Sequence, residues 1–273
     1  MFEQLVYKNH INEEIRFGQG GIFVNENELH DYDWKYNSDN NKVSNFNRGV
    51  RKISVPVIVA CPDPDDGVKA INSLMEIAEK DVLSKEAGRF IIGDYYFKAY
   101  ITGSKKKKYS TRRGWLHANL TVVSDYPAWV KETSSSFTAG GAESGKDLDF
   151  TYDFPYDFTS PNKIKSIINP SFADVDFKLI IYGEVDNPSV TIGGNEYKVN
   201  CRVNAGEYLT INSKEKSIYV TRNTGEIINR FKDRSKDTYI FTKIPSGELK
   251  VSWNGTFGFD VTLYEERSEP KWT

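Results

Sequence analysis

Apolar and polar positions along this 273-residue chain mostly alternate with a period of two, so the sequence reads as a succession of short strands. Ile15–Gly18 and Gly21–Val24 are brief alternating or apolar runs bounded by glycine and asparagine, and Leu29–Tyr36 continues with Tyr32, Trp34 and Tyr36 on one face. Asn37–Asn41 is a loop by composition. Val50–Ala60 is a strand that becomes fully apolar toward its end; Pro56 has no N–H to give a ladder, which predicts an edge or a bulge there. Arg89–Ile92 and Tyr95–Ile101 form a hairpin about Gly93-Asp94. Trp115–Val123 sets Leu116, Ala118, Leu120 and Val122 against Trp115, His117, Asn119 and Thr121, the pattern of a half-buried strand.

One segment has helical spacing instead. Asp63 is a predicted N-cap, Pro64 takes the first helical position, and Asp65 and Asp66 suit the positive end of the helix dipole. Val68, Ile71, Leu74 or Met75, Ala78 and Val82 then recur at three- and four-residue steps, and Gly88 is read as the stop. Such a stripe predicts a helix buried against the neighbouring sheet.

Beyond Ile164 short β segments follow almost without a break to Tyr264. They are Phe177–Tyr182, Val190–Ile192, Tyr197–Val203, Tyr208–Asn212 paired with Ser217–Thr221, Tyr239–Ile244, Gly247–Trp253 and Phe257–Tyr264. Strands at about ten-residue spacing signal a sandwich. Ahead of them, Phe150–Phe158 carries Tyr-Asp-Phe twice, around Pro155. Its proline argues against a helix, and its density of rings argues against a free linker. The flanking Ser134–Gly145 and Thr159–Asn162 are polar and flexible in composition. The expected organisation is therefore a first domain over 1–133, a linker with an aromatic hinge over 134–163 and a sandwich over 164–273. Tyr152, Phe154, Pro155, Tyr156 and Phe158 form the hinge.

Composition supports a mainly β protein with one helix: 14% of residues are aromatic, with 16 Tyr and 16 Phe. The net charge of −2 excludes a general polyanion binder, so any basic site is local. One such site stands out, since Lys105, Lys106, Lys107, Lys108, Arg112 and Arg113 crowd between two strands. It reads as a solvated hairpin tip, as an electrostatic arm for an acidic partner or, third, as a phosphate contact. Cys61 and Cys201 fall in different halves, which fits manufacture in a reducing cytosol. Met1–Lys8 lacks the basic and apolar regions of a signal peptide, and no apolar run reaches the ~20 residues of a membrane span.

Candidate chemistry is sparse. His10, His30 and His117 lie in separate segments without ligand spacing, so no metal or other cofactor is expected. Neither a Gly-x-Ser-x-Gly elbow nor a phosphate-cradling Gly-x-x-x-x-Gly-Lys followed by Ser or Thr occurs, and neither cysteine has a histidine near it in sequence. Capping accounts for Asp63, Asp65 and Asp66, and loop solvation for Asp174 and Asp176. A glycosidase needs only two suitably spaced carboxylates and is the one catalytic class the sequence leaves open. Asp125–Trp129 is a turn whose rings could anchor the hinge or stack on a ligand. No catalytic residue is assigned, and the chain is not expected to be an enzyme.

The double Tyr-Asp-Phe segment, followed by Ile-Ile-Asn-Pro, Phe-Lys-Leu-Ile-Ile-Tyr-Gly, Asn-Pro-Ser-Val-Thr-Ile-Gly, Gly-Glu-Leu-Lys-Val-Ser-Trp and Pro-Lys-Trp, resembles the distal tail proteins of siphophages of Gram-positive bacteria. The resemblance spans the whole length. It implies a ring-forming, β-barrel-like N-terminal domain with one helix and a galectin-like C-terminal sandwich. It further implies a homo-hexameric ring at the virion tail tip, between the tail-tube protein and the tail-tip protein. Such a ring is a hub for receptor-binding or baseplate proteins, meets DNA only as passing cargo, and has no membrane partner. The lysine and arginine hairpin would then contact an adjacent subunit or the stacked tube protein. The rival expectation is a carbohydrate-binding module for host cell-wall polysaccharide, with Trp253 as the sugar-stacking candidate and a core or rim role as its alternative.

Overall fold

The computed structural model describes residues 4–24, 26–140 and 165–272, so the aromatic segment with Tyr152, Phe154, Pro155, Tyr156 and Phe158 lies outside the described residues. The chain divides into two compact units, Met1–Lys131 with Glu266–Thr273, and Glu132–Glu265. It is mainly β, as the alternation predicts.

The first unit contains β1 (Leu5–Lys8), β2 (Glu14–Arg16), β3 (Ile22–Val24), β4 (Lys35–Asp39), β5 (Lys42–Asn47), β6 (Arg51–Ala60), α1 (Pro64–Ser84), β7 (Gly88–Ile92), β8 (Tyr95–Ser110), β9 (Trp115–Ser124) and the start of β10 (Trp129–Phe137). Antiparallel pairing runs β2-β1-β7-β8-β9-β6-β3. The two end strands of this run are joined by a tight turn in which the Gly18 N–H donates to Ile22 O at 2.7 Å, so the wall returns on itself as a barrel-like sheet. Strand β8 serves both halves of it, pairing β7 through Tyr95–Ala99 and β9 through Tyr100–Ser110. Register shifts after Ile101 and Lys106 put bulges in β8.

Pro56 sits within β6 without breaking the sheet. The Ala60 N–H donates to Gly21 O at 2.8 Å, so alternate residues down to Pro56 turn their nitrogens toward the β3 side. There, among the described residues, β3 pairs with Val57–Val59, and Pro56 follows the last described pair, Val24↔Val57.

Helix α1 starts as the sequence predicts: the Asp63 carboxylate accepts the Asp65 N–H at 2.7 Å, with Pro64 in the first turn. Its buried face is rotated from the predicted stripe. Leu74, Ile77, Ala78 and Asp81 are buried, whereas Val68 and Val82 are exposed. Lys85, in the left-handed region at φ 59°, caps the C-terminus in place of Gly88. Gly88 opens β7 and is required for closeness: a Cβ there would come within 2.3 Å of Asp81 Oδ2. Leu74, Ile77 and Ala78 share one core with Val55, Val57 and Val59 of β6, Phe97 and Ala99 of β8, and Leu116, Leu120 and Val122 of β9.

The region read as strand to Tyr36 and loop over Asn37–Asn41 is instead the two-stranded ribbon β4–β5, turning at Asn40 and Asn41. Both asparagines are left-handed, at φ 47° and 61°, which suits the tight turn of a hairpin. Their side chains tolerate that conformation, so an asparagine-rich stretch is a turn and not a long loop.

The second unit contains the rest of β10, then β11 (Lys165–Asn169), β12 (Asp176–Tyr182), β13 (Val185–Asp186), β14 (Ser189–Ile192), β15 (Asn195–Lys198), β16 (Arg202–Val203), β17 (Tyr208–Asn212), β18 (Ser217–Thr221), β19 (Ile227–Asn229), β20 (Gly247–Ser252) and most of β21 (Phe259–Arg267). One sheet runs β19-β18-β17-β12-β21-β10 and the other β11-β20-β14-β15. Phe177, Leu179, Ile181, Leu209, Ile211, Phe259 and Val261 of the first sheet share a core with Ile167, Val190, Ile192, Tyr197 and Val251 of the second. This is the predicted sandwich. Two details differ. The expected strand Tyr197–Val203 is interrupted between β15 and β16. Tyr239–Ile244 is a turn, closed by the Thr242 N–H and hydroxyl on Tyr239 O at 3.0 and 2.7 Å; its Ile240, Phe241 and Ile244 are buried without a ladder.

Candidate assembly surface

The six clustered cations lie on the hairpin β8–β9. Lys105, Lys106, Lys107 and Lys108 belong to β8 itself, and Arg112 and Arg113 to the turn that follows it. All six are exposed. The lysine register slips between Lys106 and Lys108, which places a bulge inside the charge cluster. Among the described residues none of the six forms an ion pair; the Lys106 ammonium donates to Ser104 O at 3.4 Å. Concentrated, unneutralised charge on a strand pair is held apart from its own kind only by solvent, so an acidic partner would gain from it.

The turn of this hairpin docks on the first turn of α1 through two glycines. A Cβ on Gly67 would lie 1.9 Å from Gly114 O, and one on Gly114 would lie 2.1 Å from Pro64 O. Between helix and hairpin opens a cleft of about 460 Å³, walled mainly by Val68, Ile71, Tyr109, Trp115 and Leu116, with Lys106 at its side. Val68 belongs to the helical stripe expected in the core and is exposed at the cleft instead, whereas Ile71 packs against the core and also lines the cleft.

The ribbon β4–β5 is the second unusual surface of this unit. Every residue of both strands is exposed. Cross-strand pairs alternate in character: Lys35↔Asn47, Asn37↔Asn45 and Asp39↔Lys42 are polar, whereas Tyr36↔Phe46 and Ser38↔Val43 carry the apolar side chains. Tyr36, Phe46 and Val43 are 64%, 60% and 50% exposed. At the base of the ribbon Arg48 stacks on Trp34, 4.7 Å from the ring centroid, and pairs with Glu266 at 3.3 Å. The Trp34 Nε1–H donates to Ser268 at 3.1 Å. The ribbon is thus anchored at its root and uncovered along its length.

A third feature has the composition of a catalytic cluster and the placement of a core. Asp81 is fully buried on α1; its carboxylate accepts the Tyr7 hydroxyl and the His10 backbone N–H, the latter at 2.9 Å, and lies 2.6 Å from His10 Nδ1. Burial first, and the bond to Asp81 second, push the Tyr7 hydroxyl far above the ordinary tyrosine range. With Asp81 enclosed, these groups tie β1 and the following turn to the helix and leave no room for a substrate.

In the second unit Trp253 packs onto the sandwich core. Its Nε1–H donates to Phe257 O at 3.0 Å, its ring meets Phe137 and Phe259 edge to face, and the Lys165 ammonium lies 4.5 Å from its centroid. A sugar stacking on that ring would have to displace the lysine. No group of His, Cys, Asp and Glu that could hold a metal occurs among the described residues, and Cys61 and Cys201 are free thiols.

The hairpin cations were legible in the sequence as a cluster. The ribbon, the cleft and the Asp81 network were not; the asparagine-flanked alternation of Tyr36 and Phe46, and an aspartate in register with the helix's buried positions, are the signals that could have revealed the first and last.

A barrel-like unit bearing one helix, with a two-sheet sandwich in the same chain, is an architecture found in bacteriophage baseplate proteins. A chain of the phage P2 baseplate in its activated conformation with Ca matches 99% of this chain and 100% of its own length, with a TM-score of 0.61 and 13% identity. The same figures hold for that baseplate with Sr. The SPP1 Dit protein, described as a paradigm of the hub adsorption apparatus in phages infecting Gram-positive bacteria, matches 98% of this chain and 100% of its own, with a TM-score of 0.58 and 9% identity. At these identities the likeness establishes the fold. No protein-family model and no curated protein matches the sequence.

Proposed function

We propose that this chain is a distal tail protein of a siphophage with a Gram-positive host. In this reading it is a non-enzymatic hub: six copies form a ring that joins the tail tube to the tail-tip protein and anchors receptor-binding or baseplate proteins. DNA crosses the ring as cargo. The observation that carries the reading is the extent of the structural likeness, which takes in both units and leaves 1% to 2% of this chain and none of its counterparts unmatched. A likeness confined to the sandwich would have fitted any lectin-like module; a helix-bearing barrel and a sandwich in one chain is far more restrictive.

Native mass spectrometry of the full chain, with electron microscopy of negatively stained particles, tests the ring. Six-fold rings are expected. A chain that stays monomeric at every concentration, and that antibodies fail to find at the tail tip of its phage, overturns the proposal.

The unneutralised hairpin gives a second test. In a cyclic assembly each subunit offers two different patches, so opposite charges on separate segments help neighbours meet in one order. Reversing Lys105, Lys106, Lys107 and Lys108 to glutamate is expected to weaken assembly and invert its dependence on salt, which sedimentation velocity across ionic strengths would read. Unchanged hexamers at low salt would remove the hairpin from the interface.

A further inference from the structure

Both feet of the ribbon β4–β5 rest on one short segment from far along the chain. Trp34 immediately precedes β4, and Arg48 immediately follows β5. The Trp34 Nε1–H donates to Ser268 at 3.1 Å, and the Arg48 guanidinium donates to Glu266 at 3.3 Å. Glu266 also accepts the Tyr126 hydroxyl at 2.5 Å, while Arg48 lies 4.7 and 5.9 Å from the centroids of the Trp34 and Tyr126 rings. Farther along the segment, the Trp272 ring stands 4.6 Å from that of His30. The side chains of Arg48 and Glu266 are only 13% and 18% exposed, so their pair is sheltered enough to hold one geometry. Trp272 is 74% exposed, which makes the far end of the segment a shallow hold.

We infer that residues 266–272 act as a latch on the ribbon: docked, they clamp both of its feet and hold β4–β5 out as one rigid projection, and released, they leave a loose hairpin. The ribbon cannot supply that rigidity itself. Among the described residues β4 and β5 pair only with each other, every residue of both is exposed, and a lone two-stranded hairpin is marginally stable in water. Its order therefore comes from its feet. Other contacts there act within the neighbouring chain: Lys35 lies across Gly49, where a Cβ would come 2.5 Å from its Nζ, and Arg51 donates to the carbonyls of Glu28 and Asp31. The first ties one foot to the other, and the second fixes the approach to β4 as far as Asp31. The latch alone spans 218 and 234 residues of sequence, from Arg48 to Glu266 and from Trp34 to Ser268. Closing so long a loop costs entropy that only the folded intervening chain offsets, so the ribbon is fixed after the rest of the chain has folded.

The test uses the full chain with Glu266→Gln or Ser268→Ala, and Asp94→Asn as a control that removes an ion pair of the same unit, between Asp94 and Lys131. Hydrogen exchange read by mass spectrometry is expected to quicken roughly tenfold or more in peptides covering residues 35–47 of Glu266→Gln, the scale of a lost charge-assisted hydrogen bond, and by less in Ser268→Ala. Peptides from β6–β9 are expected to keep wild-type exchange in both variants, and the ribbon is expected to keep it in Asp94→Asn. A nitroxide attached through a keto amino acid at position 38, beside the turn of the ribbon, is expected to give narrower lines in Glu266→Gln than in the unsubstituted chain. Ribbon exchange and label mobility that stay at wild-type values in both latch variants overturn the inference. Exchange that quickens equally across β6–β9 overturns it as well, because the segment would then prop the whole unit and not the ribbon. If Glu266→Gln does not fold, Ser268→Ala, which removes one hydroxyl at an exposed contact, decides between the same outcomes.

Discussion

Asp81→Ala is expected to destabilise the first unit by about 3–5 kcal/mol, the loss seen when one partner of a buried charged network is removed. The wild-type carboxylate receives the Tyr7 hydroxyl on one oxygen and two groups of His10 on the other, with no exposure to water. Alanine leaves the fully buried Tyr7 hydroxyl without its acceptor and takes both bonds from the part-buried His10, at a site where Gly88 abuts Asp81 and the Tyr7 ring. Asp81→Asn keeps the volume and one acceptor, so its loss is expected to be smaller. Tyr7→Phe removes a single donor and is expected to cost about 1–3 kcal/mol. Chemical denaturation followed by hydrogen exchange would read both the total and its location, with protection lost first along α1 and β1. An Asp81→Ala protein within about 0.5 kcal/mol of wild type, the range of ordinary surface substitutions, would show that the network carries no stability.

The stripe Val68, Ile71, Leu74 or Met75, Ala78 and Val82 predicts part of the buried face: Leu74 and Ala78 are buried, and Ile71 and Met75 pack against the core. The structure pairs the aspartate in the core and leaves Val68 and Val82 exposed. The partners of that carboxylate lie more than 70 residues away in sequence, so its register on the helix hints at burial while its pairing is visible only in the folded chain. Where the determinants are local, the reading succeeds: Tyr208–Asn212 and Ser217–Thr221 pair as predicted about the turn between them, and Asp63 caps its helix. Composition alone misleads in both directions. Asparagines at 37, 40, 41 and 45 suggest a loop where there is a ribbon, and the apolar Tyr239–Ile244 suggests a strand where buried side chains hang from a turn.

The C-terminal residues show the same limit. Glu266–Thr273 groups with the first unit, where Trp272 stacks 4.6 Å from His30 and Glu266 accepts from Tyr126 at 2.5 Å. These contacts span more than 130 residues of sequence, and only the folded chain reveals them. Among them, Ser268 and Glu266 hold Trp34 and Arg48 at the root of the ribbon.

Gly67→Ala is expected to have an effect out of proportion to the one carbon it adds. In an ordinary exposed helix the change would stabilise, since alanine is the better helix former by about 1 kcal/mol. Here the new Cβ would stand 1.9 Å from Gly114 O, and the obstacle is backbone, which no side-chain rotation relieves. The hairpin turn must move away from the helix, at an expected cost of about 1–3 kcal/mol as for overpacked cores. Gly114→Ala adds to a comparable clash with Pro64 O the penalty of a left-handed backbone at φ +59°, about 1–2 kcal/mol more. Gly93 separates the two contributions: it is left-handed at φ +55° with open space around it, so Gly93→Ala reports the backbone penalty alone. The glycine contact also fixes the spacing of α1 from β8–β9, and hence the width of the cleft they enclose. A Gly67→Ala protein as stable as wild type would mean the helix and hairpin are not in contact.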